Sequence, residues 1–421
     1  MTLSNQVYNR NFLTMLSGNT ISQIIPFILA PILARLFSPE EFAVLANFMA
    51  IVGVLGIIST GRLEMAIAIP KDHKKAQEIV FTGFIITLCL GLISILIPLF
   101  AYQIGEMYND EKLPIFLWMV PFAVISYGLL GLCSNWNLRQ ERFQQLSIGK
   151  ISQSIINNCL AAFLGYIAWG IYGLVIAWLL SQYINIIILL IGVNRKVNYK
   201  DFGISTMKTI LRDYKDFPLI NSLHAFSDIF ITQFLLYWII STYFGLLELG
   251  WFAMMTKYVK APIVLISSSV SQLFYVETSK AINQGVSFIP IVKKTVRTSI
   301  LFAIPFTIIL LAFGPLIFRW YLGEEWRQAG LYAQGLAPMF FLYFILSPIS
   351  GLPILLGKQK KAFLFSLIGY SLTIMAMFVG ISLKLSFHNT LFLYGGVFAM
   401  FYLATLIWYF TLIKKSNESL N

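Results

Sequence analysis

The chain has 421 residues, 58% of them hydrophobic and only 11% charged, and its mean hydropathy is +0.78. Soluble globular chains carry about 25% charged residues, so this composition excludes a soluble protein and predicts one that crosses a membrane many times. The net charge of +12 falls mostly in short loops between apolar segments, where it is a topology signal, and nucleic acid is not an expected partner.

A span needs roughly 20 mostly apolar residues. Twelve segments qualify, at about 12–35, 43–66, 79–102, 114–136, 148–168, 172–193, 217–243, 250–275, 298–318, 331–356, 362–384 and 391–413. The first contains Ser17, Gly18, Asn19 and Thr20 and lacks a cleavage site, so it is expected to be a retained span rather than a signal peptide. The second runs into GRLEM, residues 61–65, where Arg62 and Glu64 interrupt an uncharged run. On a helix, residues two apart point to nearly opposite faces, so these two are not expected to pair. The KDHKK stretch from Lys71 reads as a solvated loop, and EMYNDEK, residues 106–112, as a solvated turn. The fifth and sixth spans form a hairpin through WGIYG.

Near mid-chain, Met207, Ile210, Leu211 and Tyr214 recur at i, i+3, i+4 and i+7, with Lys208, Arg212 and Lys215 around them. This predicts an amphipathic helix over about 203–216, lying on the headgroups. It divides an N-lobe, residues 1–200 with helices 1–6, from a C-lobe, residues 201–421, in which helices 7–12 follow the linker helix. Shifting the chain by 207 positions lays FSPEEFAVLA on FGLLELGWFA and aligns Phe37 with Phe244, Glu41 with Glu248 and Ala46 with Ala253, as two parallel six-span halves would. Prolines fall within the first span (Pro26, Pro31), the eighth (Pro262) and the tenth (Pro338, Pro348, Pro353), where each can bend its helix.

With the N-terminus inside, twenty-two basic residues lie in inside loops. Five lie outside (Arg35, Lys112, Arg319, Arg327, Lys384) and three within spans. Both termini are therefore expected to be cytoplasmic. The fold class predicted is all-α integral membrane, with twelve transmembrane helices in two six-helix lobes. Cys89, Cys133 and Cys159 lie in apolar segments in no metal or disulfide pattern, and no metal or cofactor is expected.

An ionisable group at the bilayer centre costs about 2.5–3.5 kcal/mol, so such groups usually face protein or water. The candidates are Arg62, Glu64, His224, Asp228, Lys257 and Lys260. At about 1.5 Å per residue, Arg62 lies roughly 13 Å from the inside loop. Lys257 and Lys260 lie about 10 and 15 Å from the outer edge, and Asp228 about 18 Å deep. Lys257 and Lys260, three apart, share a face. His224 and Asp228, four apart, share another, which lets the acid raise the histidine's proton affinity. Each has a structural alternative: Arg62 and the lysines snorkelling to headgroups, Asp228 pairing with a lysine, His224 lining a helix contact.

The stretches SGNTISQIIPFILAPILARLFSPEEFAVLA and GRLEMAIAIPKD resemble the start of the polysaccharide transporter family. SSSVSQLFYVETSK, FGPLIFRWYLGEEWRQAGLYAQGLAPMF and SPISGLPILLGKQKKAFLF extend the likeness, which runs from about residue 10 to 412. The chain resembles Wzx-type flippases of the multidrug/oligosaccharidyl-lipid/polysaccharide exporter superfamily. The resemblance implies two lobes around a central cavity, alternating access, and a substrate of glycan repeat units on an undecaprenyl diphosphate carrier, moved across a bacterial inner membrane for O-antigen, capsule or exopolysaccharide assembly. It implies a diphosphate-binding role for Arg62, Lys257 and Lys260. A proton or sodium gradient is left to act through Asp228, Glu64 or His224. Membrane lipids, and a polymerase and chain-length regulator of the same pathway, are the expected partners. The rivals are a drug antiporter of the same superfamily and a membrane glycan polymerase or ligase. The short outside loops and the lack of Walker, HExxH or G-x-S-x-G patterns argue against an enzyme.

Overall fold

The computed structural model describes residues 3–191 and 203–418, which are helical with no strand among them. The principal helices are α1 (Leu3–Leu36), α2 (Pro39–Gly56), α3 (His73–Ile93), α4 (Val120–Arg139), α5 (Phe143–Tyr166), α6 (Ile171–Leu190), α7 (Ile204–Asp213), α8 (Ser222–Ile229), α9 (Leu236–Tyr243), α10 (Leu246–Asn283), α11 (Ile289–Leu322), α12 (Arg327–Gly335), α13 (Ala337–Leu346), α14 (Gln359–Ser382) and α15 (Phe387–Glu418). Ten helical segments among the described residues are long and apolar enough to cross a membrane, and the chain is a multi-pass membrane protein. Two other expected spans, 114–136 and 148–168, coincide with α4 and α5. These have span length, 20 and 24 residues, but carry more polar side chains.

The chain forms two compact units, Met1–Leu246 and Leu247–Asn421. The boundary expected at 200/201 falls outside the described residues. The seventh span is counted with the first unit, and the bonds at its far end show why. Trp238 Nε1 and Thr242 Oγ1 donate to the Met107 carbonyl at 2.8 and 2.7 Å. Ser241 donates to the Tyr108 carbonyl and accepts from Asn47 Nδ2 at 3.4 Å.

In unit 1, α1 packs along α5, α5 along α6, and α3 along α4. Ser38 caps α2 with a capping box: its hydroxyl accepts from Glu41 N–H, and the Glu41 carboxylate accepts from Ser38 N–H, with Pro39 at the first helical position. Such reciprocal caps set a helix start within one residue. Gly18 lets α1 approach α5 so closely that a Cβ there would lie 2.4 Å from the Ser147 Cβ.

The turn read as solvated is exposed at Glu106, Met107, Asn109, Glu111 and Lys112, but it buries Tyr108 and also Asp110, which is 1% exposed. Asp110 accepts from the Lys112 and Leu113 N–H groups at 3.1 and 3.0 Å and from Asn47 Nδ2 at 3.3 Å. Burial pushes its carboxyl above the ordinary carboxylate value, against those bonds.

In unit 2, α10 runs unbroken for 38 residues through Pro262. Glu248 in its first turn accepts from the Tyr332 hydroxyl, and Trp251 Nε1 donates to the Glu325 carbonyl at 2.7 Å. Glu41 and Glu248, aligned by the 207-residue shift, both sit at the third residue of their helices. The span expected at 331–356 is instead divided into α12, α13 and two short turns. Pro338, Pro348 and Pro353 each open one of the later pieces, because proline supplies no N–H to continue a helix but suits its first turn.

Candidate functional site

The GRLEM segment departs most from its expected form. α2 ends at Gly56, ten residues short of the predicted end, and the chain proceeds in turns. Gly61 and Arg62 both take left-handed backbone, at φ +60° and +58°. For a residue with a Cβ this costs roughly 1–2 kcal/mol. Leu63–Ala66 then forms a short 3₁₀ turn. The break brings together what a helix would separate: Arg62 Nη1 lies 3.6 Å from Glu64 Oε1, and Thr60 donates to Glu64 Oε2. The expectation that the two charges could not pair rested on helical geometry and is corrected. Arg62 Nη2 contacts Met65 Sδ at 3.1 Å, while its Nε is buried with no hydrogen-bond partner. A buried donor left unmade costs about 1–3 kcal/mol, so this side chain holds capacity for a further acceptor.

The linker helix packs onto this turn. Ile210 of α7 is fully buried with Leu63, Ala66, Ile67, Ile79 and Leu132, and Leu211, Tyr214 and Phe217 pack around them. The predicted amphipathic helix forms, but its apolar stripe meets protein rather than headgroups, because the broken second span leaves Leu63, Ala66 and Ile67 to be covered. Lys208 and Arg212 face outward. Lys75 Nζ bonds Asp213 Oδ2 at 2.9 Å and lies 5.6 Å from the Tyr214 ring centre. That bond holds the Asp213 carboxyl below the usual carboxylate range. Arg139 Nη1 donates to the Ile67 carbonyl at 2.9 Å, closing the turn against the end of α4.

His224 and Asp228 lie on α8, one short α-helical stretch between two π-helical ones, Phe217–Asn221 and Phe230–Leu235. They keep the i, i+4 relation. The Asp228 carbonyl accepts from Thr232 Oγ1 at 2.6 Å. Wider turns of this kind interrupt helices frequently at functional sites, and nothing in the residue pattern announced them.

In unit 2, Lys257 and Lys260 share an accessible face of α10, while Met254, Met255, Tyr258 and Val259 between and before them are buried. Lys257 Nζ lies 5.4 Å from the Tyr258 ring centre and Lys260 Nζ 6.0 Å from that of Tyr343. An aromatic face steadies an ammonium without neutralising it. Among the described residues no group of three metal-ligating side chains converges. A cavity of about 230 Å³ in unit 1 is lined by Glu41, Lys112, Trp169 and Tyr172 among others, and includes none of the predicted site residues.

The sequence profile of a family described as "Polysaccharide biosynthesis protein" matches residues 32–330. A curated relative, the succinoglycan biosynthesis transport protein ExoT of Rhizobium meliloti (strain 1021), is 23% identical over 258 residues, 59% of this chain and 49% of that protein. The chain thus spans about half the length of the curated relative it matches. Among solved structures, the lipid II flippase MurJ in an inward closed conformation superposes with a TM-score of 0.74 at 15% identity, over 97% of this chain and 91% of that one. An inward-facing multidrug resistance MATE transporter of the MOP superfamily gives 0.71 at 14% identity, over 96% and 99%. A MOP-superfamily transporter from Pyrococcus furiosus gives 0.61 at 13%, over 96% and 94%. At these identities the likeness establishes the shared fold.

Proposed function

Since this chain belongs to the polysaccharide biosynthesis protein family, we propose that it is a flippase for oligosaccharide repeat units carried on undecaprenyl diphosphate, and not an enzyme. In this reading twelve helices cross a bacterial inner membrane with both termini in the cytoplasm. The substrate is taken up from the cytoplasmic leaflet and delivered to the periplasmic one by alternating access, for O-antigen, capsule or exopolysaccharide assembly. The polymerase and chain-length regulator of the pathway would receive the product.

The observation that carries the reading is the pair of accessible lysines on one face of a membrane-length helix, within a chain of this family. A diphosphate is a dense anion that cannot cross hydrocarbon bare. Lysine offers it a mobile point charge and arginine a planar fork. Lys257 and Lys260 would meet the diphosphate in one state. Arg62, with its spare buried Nε–H, would meet it in another, exchanging part of its contact with Glu64 for the phosphate. A lone basic face would suit any anion; the glycan-lipid assignment leans on the family.

A proton or sodium gradient would drive the cycle. We assign Asp228, with His224 one turn away on the same short helix, to the coupling step. Vesicles in which Asp228→Asn transports undiminished under an imposed gradient would remove it from that role.

The direct test is Arg62→Ala in cells making a surface glycan. We expect loss of surface glycan at unchanged protein level, with lipid-linked repeat units accumulating inside. Normal glycan export would overturn the assignment of Arg62. Active efflux of a cationic drug by the wild type, with no effect on glycan, would replace the proposed substrate.

A further inference from the structure

We propose that Lys150, where α5 meets α1, is the cation of an additional anion-binding site, with a polyisoprenyl diphosphate headgroup as its ligand. This rests on the flippase reading and adds a residue to it.

Helical geometry places Lys150. On α5 the accessible apolar residues Ile148, Ile155, Cys159 and Phe163 form one stripe, the face that lipid covers. At 100° per residue, 3.6 to the turn, Lys150 lies on the opposite side of the helix from this stripe, yet it too is accessible. On α1 the accessible stripe is Ile21, Ile24, Ile28 and Ile32, and Asn19 lies opposite it. Lys150 Nζ bonds Asn19 Oδ1 at 2.8 Å. Lys150 is therefore accessible on the side of α5 turned away from its exposed apolar stripe, so snorkelling to headgroups along that stripe does not account for it.

The contact around Lys150 is polar. Ser154, one turn beyond Lys150, donates to the Ser22 carbonyl at 2.7 Å. Asn157 continues the same face. The Gly18–Ser147 approach holds the two helices together just before Lys150. These polar positions are why α5, at 24 residues, falls short of the hydropathy of the other spans. Among the described residues no carboxylate forms an ion pair with Lys150. Of its three N–H donors, Asn19 takes one, which leaves two for phosphate oxygens.

Depth fits the role. Lys150 is seven residues past the start of α5, about 10 Å along it. It is eleven residues beyond Arg139, which bonds the Ile67 carbonyl beside the Arg62 turn. Lys150 thus lies toward the end of unit 1 that carries Arg62, and a headgroup held there would be close to the next cation.

An ordinary anionic phospholipid carries phosphate as well, and the experiment separates the two sources. Purified full-length protein in zwitterionic phosphatidylcholine nanodiscs is titrated with undecaprenyl diphosphate, with and without phosphatidylglycerol. The chains compared are the wild type, Lys150→Gln, Lys150→Arg and Lys112→Gln. We expect Lys150→Gln to weaken binding about tenfold or more, as loss of a charge-assisted bond does, with Lys150→Arg and Lys112→Gln near wild type and phosphatidylglycerol a poor competitor. For a readout independent of affinity, Lys150→Cys in a chain with Cys89, Cys133 and Cys159 replaced by Ser is treated with a charged, water-soluble thiol reagent. Labelling that undecaprenyl diphosphate blocks supports the site.

Wild-type affinity in Lys150→Gln, or no labelling of Lys150→Cys, overturns the site while leaving the flippase reading intact, provided Arg62→Ala still weakens binding. Competition by phosphatidylglycerol at equal mole fraction makes it a general lipid site and overturns the assignment. A wild type that binds no undecaprenyl diphosphate at all fails both.

Discussion

Two apolar stretches of this chain carry embedded charge, and the molecule handles them in opposite ways. At GRLEM the helix stops, the backbone turns left-handed, and Arg62 finds Glu64 within its own turn. At Lys257 and Lys260 the helix continues unbroken for 38 residues, and both cations stay accessible, with aromatic rings near their ammonium groups. The first arrangement costs backbone strain and yields a partly paired guanidinium held in place by packing. The second costs no strain and yields two accessible cations beside aromatic rings. A charged residue in an apolar segment is thus one sequence signal with two structural outcomes. Whether an opposite charge lies within a few residues, and whether glycine permits the turn, separates these two.

The widest separation between the regions should come from transport. Replacing both lysines, K257A/K260A, removes two charge-assisted contacts to the proposed diphosphate, and at about 1.5–3 kcal/mol each export should fall roughly a hundredfold or more. The fold of α10 should persist, because alanine is the better helix former. Glycan export from cells, scaled to membrane protein level, reads this out. Export within a factor of two of wild type would reduce the lysine face to a surface feature.

Stability should show the reverse order, since the Arg62 turn depends on packing and the lysine face does not. Ile210 seals that turn from the linker helix. Ile210→Ala should cost about 2–4 kcal/mol in a cavity-forming core position, visible as a lower unfolding midpoint in detergent and earlier proteolysis near residue 203. A midpoint unchanged from wild type would mean that α7 is not docked on the turn.

Much of this architecture was legible in the residues, and the misses have physical causes. Hydropathy located the spans because a bilayer leaves the backbone little choice but helix, and the 3.6-residue period located the amphipathic linker. Lys257 and Lys260 share a face as their spacing requires. The broken second span was missed because its residues remain apolar through the turn, so only Gly61 and the charges flanking it hinted at a break. Asp110 was read as solvated because a buried carboxylate accepting backbone N–H groups has the same sequence as an exposed turn. The π-helical stretches around His224 and Asp228 left no signal in composition. Lys150 lies just inside the fifth expected span, 148–168, and only the burial pattern on either side of it shows which face it occupies.

Gly61 tests the strain itself. Its φ of +60° is open to glycine and unfavourable to alanine, so Gly61→Ala should destabilise unit 1 by about 1 kcal/mol. A glycine on the lysine side offers the contrast: Gly250 lies inside α10, where alanine suits the backbone. If Gly61→Ala leaves the unfolding midpoint where it was, the left-handed turn is not a constraint on Arg62.

The smallest effect sharpens the comparison at its edge, where the linker helix is tied by a surface pair. Lys75 and Asp213 are bonded at 2.9 Å but about a third exposed, a setting in which ion pairs contribute little and are screened by salt. The sign of the pH dependence still follows. Asp213 is held below its ordinary value of 3.8 by the bond from Lys75. Whatever the pair contributes is therefore fully present above that value and is lost as pH falls through the lower, folded one. Amide exchange in α7, corrected for its intrinsic pH dependence, should lose protection in wild type below about pH 4 and in high salt, and should be flat in both in Asp213→Asn. The middle of α10 carries no carboxylate between Glu248 and Glu277, so exchange there should not change in that window. Loss of protection in both helices together would point to global acid unfolding rather than release of a single tether, and would separate the packed contribution of Ile210 from the ionic one.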